Sequence, residues 1–171
     1  MKEVGIDNVG LLVIDVQNAF CHSSGSLAKL GKDITSLVQI REPCRELVTA
    51  AHSRAIPVIY TRNVYRADYS DRGVMAHEIR PGLKDVQSCV AGTWDAELTE
   101  EFSVEERDYC FDKSRPSAFF NCGIDTVLRN LHIATVVVCG VTTSICVEST
   151  VRDASQRDYR TFVVSDAVAE V

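Results

Sequence analysis

The sequence feature that most constrains the fold is an apolar run near the start of the chain, residues 9–14, which ends at Asp15. A run that is apolar at successive positions is typical of a strand buried on both faces, as in a parallel sheet. Comparable runs follow at 56–61, 108–112, 134–140 and 159–165, with helical patterns at 33–54, 124–131 and 143–156. Strands that alternate with helices predict an α/β fold with a central parallel sheet and right-handed connections.

Two interruptions refine this prediction. Pro43 lies inside the first helical pattern and is tolerated only in a first turn, so we expect a short helix and then a second helix from about Glu42. Residues 63–105 are irregular and contain several glycines and a proline, and a loop region of this length in a compact domain is usually functional.

Length and composition narrow the class of protein. The 171 residues suit a single domain, 1–171, and the hydrophobic (46%) and charged (25%) fractions are those of an ordinary globular protein. The net charge of −6, without a Lys/Arg cluster, argues against nucleic acid or an anionic membrane as a partner. The chain contains no apolar run of the roughly 20 residues that a membrane helix needs, and its start lacks the pattern of a signal peptide. We therefore expect a cytoplasmic protein.

The cysteines and histidines indicate neither a disulfide framework nor a metal site. The seven cysteines are odd in number, irregularly spaced and without a C-x-x-C pair. The four histidines show no close ligand spacing; they are His22, His52, His77 and His132. We predict no metal and no cofactor.

Three reactive side chains follow predicted strands: Asp15, Lys113 and Cys146. In open α/β sheets the functional site lies beyond the carboxyl ends of the strands, so we expect the three at one edge. Cys146 falls in the first turn of a predicted helix, where the dipole and free N–H groups favour a thiolate and could also stabilise an oxyanion. Lys113 would lower the thiol pKa further, and Asp15 could accept the proton. Each residue alone also has a structural interpretation: a cap, a solvated ammonium or a small buried thiol.

Three motifs resemble those of isochorismatase-like cysteine hydrolases. Residues 15–20 (DVQNAF) resemble the opening D-x-Q-x-x-F, 113–119 (KSRPSAF) resemble the lysine motif, and 140–147 (GVTTSICV) resemble the segment around the nucleophile. The pattern also covers 92–95 (GTWD) and 148–153 (ESTVRD). These motifs occur in the family's order over essentially the whole chain, which makes the resemblance specific.

The resemblance implies a three-layer Rossmann-like fold with helices on both faces of the sheet, and a catalytic triad of Asp15, Lys113 and Cys146. It also implies a cis peptide bond between Val141 and Thr142. In the family this bond turns the amide that corresponds to Thr142, which together with the Cys146 amide forms an oxyanion hole. The same resemblance implies a homo-oligomer, either a dimer or a tetramer.

The predicted activity is hydrolysis of a carbon–nitrogen bond in a small amide or ureide through a thioester or thiocarbamate. The motifs look most like those of ureidoacrylate and biuret amidohydrolases, whose substrates often carry a carboxylate. The resemblance implies that Phe20 and Trp94 wall the pocket. Arg115 or Arg62 is a candidate for binding a substrate carboxylate, and a surface ion pair is the alternative for each.

Several alternatives stay open at this point. A nicotinamidase-type amidase is disfavoured because such enzymes carry an acid and paired histidines after the second strand, and residues 61–69 contain no histidine. An inactive scaffold acting through protein contacts would not need all three triad residues. A redox-sensing thiol would need a resolving cysteine, and Cys139 is poorly placed for that role. Family members continue past position 171 with a helix and a strand, so the chain is either naturally short or truncated.

Overall fold

A computed structural model describes residues 8–171, which build one five-stranded sheet with the order β3-β2-β1-β4-β5. Every neighbouring pair of strands is parallel, which confirms the predicted α/β class. The strands are β1 Val9–Ile14, β2 Val58–Asn63, β3 Tyr109–Lys113, β4 Thr135–Val141 and β5 Arg160–Ala169.

Helical segments connect the strands. The α-helices are α1 Asn18–Cys21, α2 Ser26–Lys29, α3 Thr35–Gln39, α4 Arg41–Ser53, α5 Gly82–Asp85, α6 Ile124–Asn130 and α7 Glu148–Ser155. Two π-helical turns, Met75–Ile79 and Thr143–Val147, and a 3-10 turn, Trp94–Ala96, complete the set. As predicted, a short helix precedes α4, and Pro43 lies in the first turn of α4, where no intrahelical N–H bond is lost. No helix among the described residues is long and apolar enough to cross a membrane.

The core lies on both faces of the sheet, which explains the uninterrupted apolar run of β1. Side chains of a strand alternate between faces. Leu11 and Val13 pack with α3 and α4 on one face, and Leu12 and Ile14 pack with α6 and α7 on the other. All four side chains are at most 3% exposed. The structure therefore has the predicted three layers.

Among the differences from the predicted boundaries, two concern the last strand and the helical segment before it. β5 continues to Ala169, four residues past the predicted end, because a register shift restores its pairing with the last residues of β4. The segment predicted as one helix from residue 143 begins as the π-helical turn and becomes α-helical at Glu148.

The carboxyl ends of the four strands β1 to β4 meet at one edge of the sheet. Gly140 permits the close approach of β4 to β1 there: its φ is +115°, and a Cβ added to it would lie 2.0 Å from the Ile14 carbonyl oxygen. Only glycine fits this position without strain. Close backbone packing between β1 and β4 therefore fixes the position of the chain next to Asp15.

Candidate active site

Asp15 forms the centre of a buried polar cluster at this edge. It follows β1 in a left-handed backbone conformation (φ 52°), and its side chain is fully buried. Its Oδ1 accepts a hydrogen bond from the Thr61 hydroxyl at 2.7 Å. Its Oδ2 accepts bonds from Lys113 Nζ and Asn63 Nδ2, both at 2.7 Å. Three donors thus hold the carboxylate in one orientation.

Lys113 is the last residue of β3 and forms a buried ion pair with Asp15. The side chains of both residues are inaccessible to solvent. Burial alone would lower the pKa of the Lys113 ammonium, but the Asp15 carboxylate and the Cys146 sulfur beside it outweigh burial and raise this pKa above its ordinary value. Lys113 Nζ also donates to the Arg115 carbonyl at 3.2 Å. The ammonium therefore stays charged and fixed in position.

Cys146 lies in the π-helical turn with 6% of its surface exposed, and its Sγ is 3.4 Å from Asn63 Nδ2. Burial raises the pKa of its thiol to about 11, although Lys113 opposes the shift. The sequence-based expectation of a lowered thiol pKa is therefore wrong for this state, because desolvation outweighs the nearby positive charge. At neutral pH the sulfur therefore carries its proton.

Asn63 connects the carboxylate to the sulfur and was missed by the sequence analysis. It is the last residue of β2, and its register partner in β3 is Lys113. Its Nδ2 reaches both Asp15 Oδ2 and Cys146 Sγ, while the Tyr65 hydroxyl donates to its Oδ1 at 3.1 Å. The Gln17 side chain bonds the backbone of Asn63 on both sides, through its N–H (2.7 Å) and its C=O (2.9 Å).

Applying the strand-end argument to the second strand could have identified Asn63. The predicted strand ends at position 61, two residues before the observed end, so the prediction puts Asn63 in the irregular region. The polar side chains that end neighbouring strands meet at this edge.

The backbone before the cysteine has the predicted geometry in part. The Val141–Thr142 peptide bond is cis. The Thr142 carbonyl accepts hydrogen bonds from the amides of Ile145, Cys146 and Val147, at 3.2, 3.1 and 3.2 Å. The Cys146 amide, one of the two expected oxyanion donors, thus already donates to the Thr142 carbonyl within the turn.

A cavity of about 250 Å³ opens onto Cys146. Two of the three predicted substrate-binding residues, Phe20 and Arg115, line it. Trp94 does not line the cavity: the residue is 49% exposed, and its ring packs edge-to-face on His22, with centroids 4.9 Å apart. Several lining residues come from the irregular region 63–105, among them Tyr65 and Arg72.

The predicted arginines differ in their surroundings. Arg62 lies outside the cavity lining and pairs with Asp112 (2.8 Å) and Glu97 (2.5 Å), which is the surface ion pair considered as its alternative. Arg115 lines the cavity, but its Nη1 donates to the carbonyls of Ser114, at 2.8 Å, and Asp71. In residues 8–171, no three His, Cys, Asp or Glu side chains converge closely enough to hold a metal ion.

Comparison with known proteins identifies the family of this chain. The family model for the isochorismatase domain matches residues 9–171. Ureidoacrylate amidohydrolase RutB of Methylorubrum extorquens is 32% identical, with 94% of this chain and 69% of the relative aligned.

Two solved structures extend the likeness to three dimensions. A cysteine hydrolase from Pseudomonas syringae pv. phaseolicola has a TM-score of 0.87 at 33% identity, over 96% of this chain and 73% of that chain. N-carbamoylsarcosine amidase from Thermoplasma acidophilum has a TM-score of 0.80 at 28% identity, over 96% of this chain and 85% of that chain. The chain therefore belongs to the isochorismatase family.

Proposed function

We propose that this protein is a cysteine-dependent hydrolase of a non-peptide carbon–nitrogen bond in a small amide or ureide. The observation that carries the proposal is the buried cluster in which Asn63 joins the Asp15 carboxylate to the Cys146 sulfur, beside Lys113 and open to the cavity. The similarity to an ureidoacrylate amidohydrolase and to an N-carbamoylsarcosine amidase supports a ureide or carbamoyl compound as the substrate.

The first half of the proposed cycle forms a covalent intermediate. Asp15 takes the proton of Cys146 as the sulfur bonds to the carbonyl carbon, and the Thr142 amide receives the developing oxyanion. Because the thiol pKa is raised, this proton transfer accompanies the attack instead of preceding it. The tetrahedral intermediate then breaks its C–N bond, and Asp15 returns the proton to the departing nitrogen.

The second half of the cycle regenerates the thiol. Asp15 takes a proton from a water molecule, whose oxygen adds to the carbonyl carbon of the thioester or thiocarbamate. The C–S bond breaks, the acid or carbamate is released, and the sulfur regains a proton from Asp15. The role of Lys113 is to pair with the Asp15 carboxylate and to hold it in position in a site from which solvent is excluded.

Ammonia release from a panel of small amides and ureides tests this proposal. The panel holds ureidoacrylate, biuret, N-carbamoyl amino acids and nicotinamide, and ammonia is measured after acid treatment, which also decomposes any carbamate formed. We expect turnover of at least one ureide, loss of that turnover in Cys146→Ala, and full activity in Cys110→Ala, which removes an exposed thiol. Turnover that survives Cys146→Ala would refute the mechanism, and an enzyme inert toward the whole panel would favour the scaffold alternative.

We also propose a cytoplasmic homo-oligomer, a dimer or a tetramer, that does not bind nucleic acid. All seven cysteines are unpaired, which supports a reducing compartment, and the net charge of −6 disfavours polyanions. β5 is an edge strand of the sheet, and its apolar residues Phe162 and Val163 are 52% and 42% exposed, which supports a contact between copies along this edge. Light scattering on the purified chain gives the oligomeric state, and a monomer at micromolar concentration would contradict this part of the proposal.

A further inference from the structure

Arg72 is a buried cation whose donors are not used by the protein. The residue is 8% exposed and lines the same cavity as Cys146. Its Nε and Nη1 are enclosed and have no hydrogen-bond partner within the part of the chain that the structure describes. Burying the donors of a charged group without partners is costly, so a partner is expected to arrive from outside the protein.

The aromatic contact of Arg72 fixes the guanidinium without satisfying its donors. Its Cζ lies 4.5 Å from the centroid of the Tyr65 ring, which is a cation–π distance. The interaction with the ring face holds the cation in place and does not use the N–H groups in the guanidinium plane. The binding group is therefore preorganised before any ligand enters.

The charges around the cavity favour an anion. Two further arginines, Arg80 and Arg115, line the cavity together with Arg72, and no Asp or Glu side chain is among the lining residues. The Asp15 carboxylate lies behind the lining and is paired with Lys113. The charged side chains that line this cavity are thus all positive, within a chain of net charge −6.

We propose that Arg72 binds a carboxylate of the substrate, so that the cavity selects anionic carbamoyl compounds over neutral amides and ureides. This inference rests on the proposed function and names its substrate class. A carboxylate is planar and accepts two parallel N–H bonds from a guanidinium, which matches the donors that Arg72 presents.

The position of Arg72 relative to the reactive sulfur suits this role. Arg72 stacks on the ring of Tyr65, whose hydroxyl bonds Asn63, which in turn contacts the Cys146 sulfur. The proposed carboxylate-binding group and the sulfur are thus joined by one chain of contacts, and all four residues line the cavity.

Kinetics with a charged and a neutral substrate test the proposal. Ureidoacrylate and its methyl ester share the ureide but differ in the carboxylate, and ammonia release is followed for both. We expect Arg72→Gln to raise KM for ureidoacrylate about 10- to 100-fold, the loss typical of a hydrogen-bonded charge. KM for the ester should change less than about threefold in the same variant. Arg72→Lys, which keeps the charge without the planar fork, should have a KM for ureidoacrylate between those of the wild type and Arg72→Gln. Arg107→Gln, at an exposed position outside the cavity lining, is the control and should change KM for ureidoacrylate less than about threefold.

Two outcomes would overturn the assignment. An equal loss on both substrates in Arg72→Gln would show a structural role through Tyr65, and an unchanged KM for ureidoacrylate would show no role in binding. If wild-type protein releases no ammonia from any ureide, the proposed function has failed, but calorimetric binding of ureidoacrylate to Cys146→Ser still tests Arg72. Binding that is weakened at least tenfold by adding Arg72→Gln would support the anion site, and unchanged binding would refute it.

Discussion

Replacing Lys113 by methionine should be the most destabilising single change at the site. The Lys113 ammonium lies 2.7 Å from Asp15 Oδ2, and neither side chain is accessible to solvent. Without it, the carboxylate keeps two uncharged donors, Thr61 and Asn63, and remains a buried uncompensated charge. Removing one partner of a buried ion pair lowers the free energy of unfolding by about 3–5 kcal/mol. With a urea m-value of about 2 kcal/mol per molar, the unfolding midpoint should fall by roughly 2 M.

The matched variants separate charge from packing. Lys32→Met, at an exposed position, should change the free energy of unfolding by less than about 0.5 kcal/mol. Adding Asp15→Asn to Lys113→Met removes the unpaired charge and should recover at least half of the loss, since the Thr61 hydroxyl can reverse its donor role. A loss below about 1 kcal/mol in Lys113→Met, or no recovery in the double variant, would refute the reasoning.

The pH dependence of this stabilisation has a definite sign. Since the pKa of Lys113 is raised in the folded protein, the ion pair contributes fully below the ordinary lysine value of 10.5, and the contribution is lost as the pH rises through the folded value. The difference between wild type and Lys113→Met should therefore stay constant from about pH 7 to 9 and shrink only in stronger alkali.

Three further results follow from the geometry of the site. Alkylation of Cys146, followed on its own peptide, should accelerate about tenfold per pH unit between about pH 7 and 10, because its pKa is about 11; a plateau below about pH 8 would contradict the burial argument. Asn63→Leu should lower kcat about 10- to 100-fold, and Tyr65→Phe should lower it less than tenfold. Equal losses of kcat in the two variants would contradict a role of the Asn63 amide in joining Asp15 to Cys146. Gly140→Ala should cost about 2–4 kcal/mol in urea unfolding, since its Cβ would meet the Ile14 carbonyl, and a neutral effect would show that β4 can shift.

Much of the fold could be predicted from periodicity. Continuous apolar runs such as Val9–Ile14 reflect burial on both faces, and the alternation with helices fixes a parallel sheet. The edge argument then brought Asp15 and Lys113 together, and the structure places them in direct contact. These features depend on local pattern and on general rules of sheet topology, which a single sequence contains.

The remaining features depend on tertiary packing. The thiol pKa was predicted with the wrong sign because the depth of burial of Cys146 cannot be read from its position in a helix. Trp94 belongs to a recognisable motif but turns toward His22, away from the cavity. Arg72 lies in the irregular region, and only the packing of that region over Tyr65 shows that its guanidinium is buried without a protein partner.

Mass spectrometry of the protein quenched during its first turnover tests the central claim, that Cys146 forms the covalent intermediate. Wild-type protein is mixed with ureidoacrylate, quenched in acid at successive times and digested, and the peptide carrying Cys146 is compared with the amount of amine product released. If the amine product is released in a burst before the steady state, we expect a carbamoyl group on Cys146 during that burst. We expect no such adduct in Cys146→Ser. A first-turnover burst of product with the Cys146 peptide unmodified at every time would contradict the account.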